Sequence, residues 1–337
     1  MSAFVLGSSQ IAPGTRALVS LPVTRTLRGD LSIPVHVLAG AAEGPTLAVL
    51  CSVHGDENGS LVALKALLDG LDLSTLAGTL LLLPVANPLA FADLRRETSE
   101  QRENTDLHRC FPGNARGSIT EMIAAVIARE VIARCDALID IHAGGNGGRI
   151  QQRADLNEDA TGDVRARSLA MCEAFGTGFV HVNFLPPSTA AGHANKLGIA
   201  ACAVEVGGTY LPTPLANFYR DMTVRGIEAV MALLGMLERQ AAPVPDQHMF
   251  GRKARKEANP TRAGYLLSLA DEPSDLGRAV QRDELLGTVI DPFTLEAVEE
   301  LRAPCDGVIF FSRMSGIVDA GAKGYAIAES ALMESGH

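Results

Sequence analysis

Three apolar runs in this chain of 337 residues end in a side chain that can bind a metal or move a proton. The first, Thr46 to Val53, runs into His54-Gly55-Asp56-Glu57-Asn58-Gly59. At a strand-to-helix corner, a histidine and a glutamate three residues apart can swing to one side and share a divalent cation, and these ligand types suit zinc. Alone the spacing is weak, because Asp56, Asn58 and Gly59 also read as a polar turn capping a helix. The second run, Ala137 to Ile141, delivers His142 and then Ala143-Gly144-Gly145. A lone strand histidine is more often a satisfied core residue, but with His54 and Glu57 it becomes the third ligand of one zinc ion per chain. The third run, Ile199 to Val204, delivers Glu205 into Val206-Gly207-Gly208. A carboxylate that ends an apolar strand is costly unless it is paired or poised for chemistry. Near a metal it suits a general base that takes a proton from a water the metal has made more acidic.

The polar segment from Leu94 to Gly117 is long for a compact domain, and such loops are usually functional or mobile. It carries Arg95, Arg96 and Arg102, then Asp106-Leu107-His108-Arg109-Cys110-Phe111-Pro112-Gly113. Loop arginines are most often solvated, but the Phe-Pro-Gly turn can hold one guanidinium in a set direction. His36 lies in an alternating strand with no carboxylate or cysteine beside it and reads as structural. His181 and His193 are spare histidines for which a surface role is expected, with substrate contact by His193 the alternative.

The elements that must position these groups alternate. An edge hairpin is expected within residues 16–39, a helix over 60–71, a near-continuous apolar strand over 78–85, and helices over 118–134, 163–177 and 214–240. Ser118 with Glu121 forms a capping box at the second of these helices. Strand, helix and strand in succession predict an α/β fold with a mixed, mostly parallel sheet flanked by helices, in which sites lie beyond the carboxyl ends of strands. Residues 184–192 read as a Pro-rich loop walling a pocket. Composition shifts at Ala241-Ala242-Pro243-Val244-Pro245-Asp246, a linker, so residues 1–242 are expected as a catalytic domain and 250–337 as a small β domain with Gly-centred turns. Gly144-Gly145-Asn146-Gly147-Gly148 lacks the lysine and the spacing of a phosphate-binding loop.

Composition sets the outer bounds. With 47% hydrophobic and 20% charged residues the chain reads as a folded soluble globule. A net charge of -10 argues against nucleic-acid or anionic-membrane partners. No apolar run reaches the ~18 residues of a membrane span, and no signal-like segment opens the chain, so a cytoplasmic location is expected. The six cysteines, scattered without a Cys-x-x-Cys pair, read as reduced and mostly buried thiols.

His54-x-x-Glu57, Ala86-Asn87-Pro88-Leu89-Ala90-Phe91, Asp106 to Gly113, Asp140-Ile141-His142 and Val204-Glu205-Val206-Gly207-Gly208 stand in one order along the chain. In that order the sequence resembles the succinylglutamate desuccinylase/aspartoacylase family, relatives of the zinc carboxypeptidases. The resemblance implies a zinc-carboxypeptidase-like fold with a small lipoyl-carrier-like C-terminal barrel or sandwich. It implies that His54, Glu57 and His142 bind Zn2+ and that Glu205 is base and proton shuttle. By the same resemblance Arg109 holds a substrate carboxylate, and Asp106 hydrogen-bonds a ligand histidine, with His54 the candidate. It also implies an arginine that polarises the scissile carbonyl, for which counting from Asn87-Pro88 favours Arg96 and counting back from Arg109 favours Arg102.

One departure stands out. The family pattern has asparagine before the substrate arginine, whereas this chain has His108, which offers one donor and one acceptor on a bulkier ring. His108 is therefore expected to contact substrate, with an extra metal contact as the alternative. The expected activity is zinc-dependent deacylation of a small N-acyl amino acid or related carboxylate-bearing amide. The rivals are a metallocarboxypeptidase acting on short peptides and a non-catalytic binding protein of the same fold; the partner is a small molecule, and a homo-oligomer is left open.

Overall fold

The computed structural model describes residues 2–145, 148–238 and 247–335. The linker expected at 241–246 and the centre of the glycine run, Asn146 and Gly147, lie outside the described residues.

The core is a mixed sheet with a parallel centre. An antiparallel hairpin, β1 (Arg16–Thr26) and β2 (Gly29–Ala39), forms one edge and leads into β3 (Ala42–Leu50). After α1 (Leu61–Gly70), β4 (Ala77–Leu83) runs parallel to β3 and pairs antiparallel with β2. Following α2 (Ile119–Glu130), β5 (Ala137–Gly144) takes the other side of β3, also parallel. The chain then turns back into β6 (Gly148–Asn157), rises through α3 (Gly162–Phe175) to β7 (Phe179–Asn183), and passes α4 (Ala190–Lys196) to β8 (Ala200–Gly208). β8 inserts between β5, to which it is parallel, and β6, to which it is antiparallel. The long α5 (Thr213–Leu233) follows. The second half of β3, with β4, β5 and β8, is rich in Leu, Val, Ile and Ala because helices or loops cover both faces of the sheet.

The C-terminal residues extend the same sheet. β9 (Arg255–Ala258), β13 (Gly307–Arg313) and β15 (Tyr325–Glu329) continue it beyond β6, giving the order β9-β15-β13-β6-β8-β5-β3-β4-β2-β1. The strands β10 (Gly264–Ser268), β11 (Leu285–Ile290), β12 (Ala297–Arg302) and β14 (Gly316–Val318) make a separate four-stranded antiparallel sheet in the order β12-β11-β10-β14. One contiguous core runs from Leu47 and Val49 in β3 to Ile309 and Tyr325 in the C-terminal strands.

The capping box at α2 is present: the Glu121 N–H is bound by Ser118 Oγ at 3.3 Å, and the Ser118 N–H by Glu121 Oε2 at 2.7 Å. All six cysteines are free, five of them buried. Among the described residues, no helix is long and apolar enough to cross a membrane.

Candidate metal centre and substrate cavity

His54 and Glu57 sit in the turn after β3, whose tight path depends on Gly55: a Cβ there would stand 2.1 Å from the Ala90 backbone carbon. His142 lies two residues before the end of β5 and Glu205 lies beside it in β8, the two paired in parallel register. On the other flank of β8, Arg153 of β6 is paired with Glu205. Arg153, Glu205 and His142 therefore occupy one row across three strands, and side chains in such a row share a face.

The donor atoms converge. Glu57 Oε1 is 2.9 Å from His54 Nδ1, Glu57 Oε2 is 3.0 Å from His142 Nδ1, and the two Nδ1 atoms are 3.3 Å apart. The Ala143 N–H donates to Glu57 Oε2 at 3.2 Å and fixes the carboxylate. The outward nitrogens face carboxylates in turn, with His54 Nε2 3.3 Å from Asp106 Oδ1 and His142 Nε2 3.2 Å from Asp140 Oδ2. Such partners orient a ligand imidazole and set which nitrogen is free for the metal. Asp140, fully buried inside an apolar strand, was not singled out in the sequence. The signal available was its place two residues before His142, which puts both side chains on one face of the strand.

Electrostatics at this cluster call for a cation. Burial works against charge on either imidazole, yet Glu57 and Asp106 hold His54 above the ordinary histidine range, and Asp140 and Glu57 hold His142 well above it. Burial likewise opposes ionisation of Glu57 and Asp106, but the imidazoles draw Glu57 well below the carboxylate range, and His54 and Arg96 bring Asp106 to about 2. Three buried carboxylates gathered on two imidazoles demand positive charge, and two Nδ1 atoms and a carboxylate within 3.3 Å of one another form a donor set that fits zinc. Glu205 behaves differently: burial raises its pKa, with Arg153 and His142 only partly offsetting the effect. Its Oε2 is buried without a hydrogen-bond partner among the described residues, while Oε1 lies 3.4 Å from Arg153 Nη2.

A cavity of about 620 Å³ opens above this floor, within the ~300–1,000 Å³ usual for small-molecule sites. Arg96 and Arg109 line it from the long loop, Phe184 to Pro186 from the Pro-rich segment, Arg255 and Phe311 from the C-terminal strands, and Lys323 from the turn before β15. Arg96 Nη1 is 3.1 Å from Glu57 Oε1, and Arg109 Nε is 3.4 Å from Asp106 Oδ2. The loop is pinned from beneath by Glu103, which accepts from the Ile119 N–H at 3.0 Å and the Thr120 N–H at 2.7 Å. His108 also lines the cavity, and burial, followed by His142, lowers its pKa to about 3, so the ring is neutral.

Arg102 lies elsewhere. The turn Ser99–Asn104, closed by the Arg102 and Glu103 N–H groups on the Ser99 carbonyl, carries it to a separate groove lined by Thr24 to Arg28 of the edge hairpin. The surface role expected for His181 and His193 is also corrected, because both are buried. His181 bonds Asp155 at 3.1 Å and stacks on Phe250, because β7 is flanked by β6 and by a C-terminal strand, His248–Gly251.

Three cavity residues, Arg153, Arg255 and Lys323, escaped the sequence reading. Arg153 is tied to Asp155 at 2.8 Å, and Arg255 to Glu257 at 2.9 Å. The Lys323 ammonium stands 4.4 Å over the Phe311 ring, with no carboxylate oxygen in ion-pair range among the described residues. Burial, with help from Arg255 and Arg153, lowers its pKa to about 8.

A mixed sheet whose parallel strands end in a buried His-Glu-His donor set, with helices on its flanks, is the zinc-carboxypeptidase-like α/β fold. A metallo-carboxypeptidase from Burkholderia cenocepacia shares it with a TM-score of 0.51 and 14% identity over 64% of each chain. Within that class, residues 43–234 match the succinylglutamate desuccinylase/aspartoacylase catalytic domain, and the chain belongs to that family. It is 29% identical to the N-alpha-acetyl-L-2,4-diaminobutyric acid deacetylase of Halomonas elongata, over 89% of this chain and 86% of that one. The crystal structure of a succinylglutamate desuccinylase/aspartoacylase from Rhodobacter sphaeroides matches with a TM-score of 0.77 and 24% identity, over 95% of this chain and 96% of that one.

Proposed function

We propose that this chain is a zinc-dependent amidohydrolase that cleaves the acyl group from a small N-acyl amino acid. The observation that carries this reading is the convergence of His54 Nδ1, His142 Nδ1 and the Glu57 carboxylate within 3.3 Å, with Glu205 in register beside His142. The family and the named activity of the Halomonas relative support it.

His54, Glu57 and His142 hold the ion, oriented by Asp106 and Asp140. A bound zinc supplies Lewis-acid polarisation and lowers the pKa of water at the site. Glu205 accepts the proton of the attacking water and returns it to the departing amine nitrogen; its raised pKa suits both halves of that cycle. Arg96 stabilises charge developing on the scissile carbonyl oxygen, an assignment Arg102 does not share because it points into another groove. Arg109 binds the amino-acid carboxylate, and Arg255 and Lys323 add cations to the facing wall. That C-terminal wall, with Phe184 to Pro186, narrows the cavity toward a single amino acid rather than a peptide. We place the reaction in the cytoplasm, in keeping with the free thiols.

The test is a screen of the zinc-loaded protein against N-acetyl, N-succinyl and N-formyl amino acids, diamino acids included, beside short peptides. Turnover of acylated single amino acids with little or no cleavage of peptides is the expected result. Preferential peptide cleavage would replace this reading with that of a carboxypeptidase.

A further inference from the structure

Among the described residues, His108 is the one imidazole at this site that the proposed ligand set does not use. Its ring centroid lies 5.3 Å from that of His54 and 4.8 Å from that of His142, edge-on to the latter, and the His54 and His142 centroids are 4.9 Å apart. One ring nitrogen from each of the three lies within 4.8 Å of the others. A point shared by three atoms so placed is within about 2.8 Å of each, several tenths of an ångström beyond a ~2.1 Å zinc–imidazole bond. The backbone leaves His108 little freedom: it lies in the single turn Leu107–Arg109, and its N–H donates at 2.9 Å to Asp106 Oδ1, the atom that also faces His54 Nε2. Its Nδ1 is buried without a hydrogen-bond partner among the described residues. A buried ring nitrogen left unpaired beside a cation site is a cost that coordination removes.

We infer that His108 is a third imidazole ligand, so that the metal centre of this chain is a His3Glu site formed by His54, Glu57, His108 and His142. This rests on the metal reading proposed above and adds to it a ligand borne by the substrate loop. With four protein donors, a place for substrate requires expansion to five-coordination, which zinc accepts. Occupancy of the metal site would then also hold the turn that carries Arg109, linking metal retention to the geometry of the substrate end.

Zinc K-edge X-ray absorption on the wild-type holoprotein counts imidazoles directly, and three are expected. Chelator competition should show zinc bound on the order of 100-fold more weakly by His108→Asn, at or beyond the upper end of the ~10–100-fold cost of losing a partner outside the coordination sphere. Two imidazoles in the wild type, or a His108→Asn affinity within about threefold of wild type, would overturn the inference. Because neither readout involves hydrolysis, the two readings can fail separately. Three imidazoles without turnover of any N-acyl amino acid would leave the ligand set standing and remove the activity, whereas wild-type protein that takes up no zinc would remove both.

Discussion

The metal end and the substrate end of the cavity are built on opposite plans. At the metal end the side chains of His54, Glu57 and His142 are 3%, 5% and 6% exposed, stand at strand ends, and are each held by a second group. At the substrate end Arg96 and Arg109 are 48% and 79% exposed, stand on a loop, and share the cavity with Arg255 and Lys323 of the C-terminal residues. Charges fixed in a dry, pre-oriented frame act strongly on a reacting group, whereas exposed guanidinium groups are screened and adjust to what enters. On the proposed reading, the sheet fixes His54, Glu57, His142 and Glu205, while the long loop brings Arg109 for the substrate carboxylate and reaches the metal end through Arg96, 3.1 Å from Glu57.

Substitutions at the two ends should therefore differ in kind as well as size. Removing a metal donor is the largest expected effect: His142→Ala should lose zinc, and kcat/KM should fall by about 10^4-fold, the several kcal/mol that a catalytic metal supplies. Metal analysis alongside kinetics checks it, and a variant that keeps zinc would break the contrast at its strong end. One step out, Asp140→Asn should weaken zinc binding by about 10–100-fold while the fold persists, read by chelator competition.

At the substrate end, Lys323→Met should raise KM by about tenfold, equivalent to ~1.4 kcal/mol of binding, with kcat little changed. The wild-type KM should itself climb as pH rises through about 8, because the ammonium is lost there, and the variant should lack that inflection. Folding stability carries the opposite sign. The folded pKa of about 8 lies below the ordinary 10.5, so the unfolded chain holds more protons between the two values, and stability should rise with pH across that window. The smallest effect belongs to the frame around the site: Ser118→Ala removes the capping box of α2 and should cost about 1 kcal/mol in denaturant unfolding, with catalysis unchanged.

How far the sequence could be read follows the same division. His54, His142 and Glu205 each end an apolar run, Glu57 follows His54 by three residues, and the strand-end rule for α/β sheets groups them from spacing. β6 was missed because Arg149, Arg153 and Asp155 break every apolar pattern in it. They are buried because pairing offsets the charges of Arg153 and Asp155, as in the Arg153–Asp155–His181 contacts, and hydropathy does not register pairing. α4, with Ala190-Ala191-Gly192-His193, was hidden inside a segment punctuated by Pro186 and Pro187. The segments that become β13 and β15 read as β-like, but the strand that carries Arg255 does not stand out in the sequence, and nothing local says that these strands continue the sheet beyond β6 and bring Arg255 and, from the turn before β15, Lys323 to the cavity. Arg102 was misplaced for a related reason: three loop arginines look alike until the Ser99 turn decides which way each one points.

Glu205→Gln tests the account most directly, because it removes the proposed proton shuttle while leaving every proposed metal donor in place. Zinc content measured on the purified variant should equal that of the wild type, while kcat for the best N-acyl amino acid falls by about 10²–10⁴-fold. Near-normal turnover with zinc retained would contradict the role given to Glu205, and with it the mechanism built on the row Arg153, Glu205, His142.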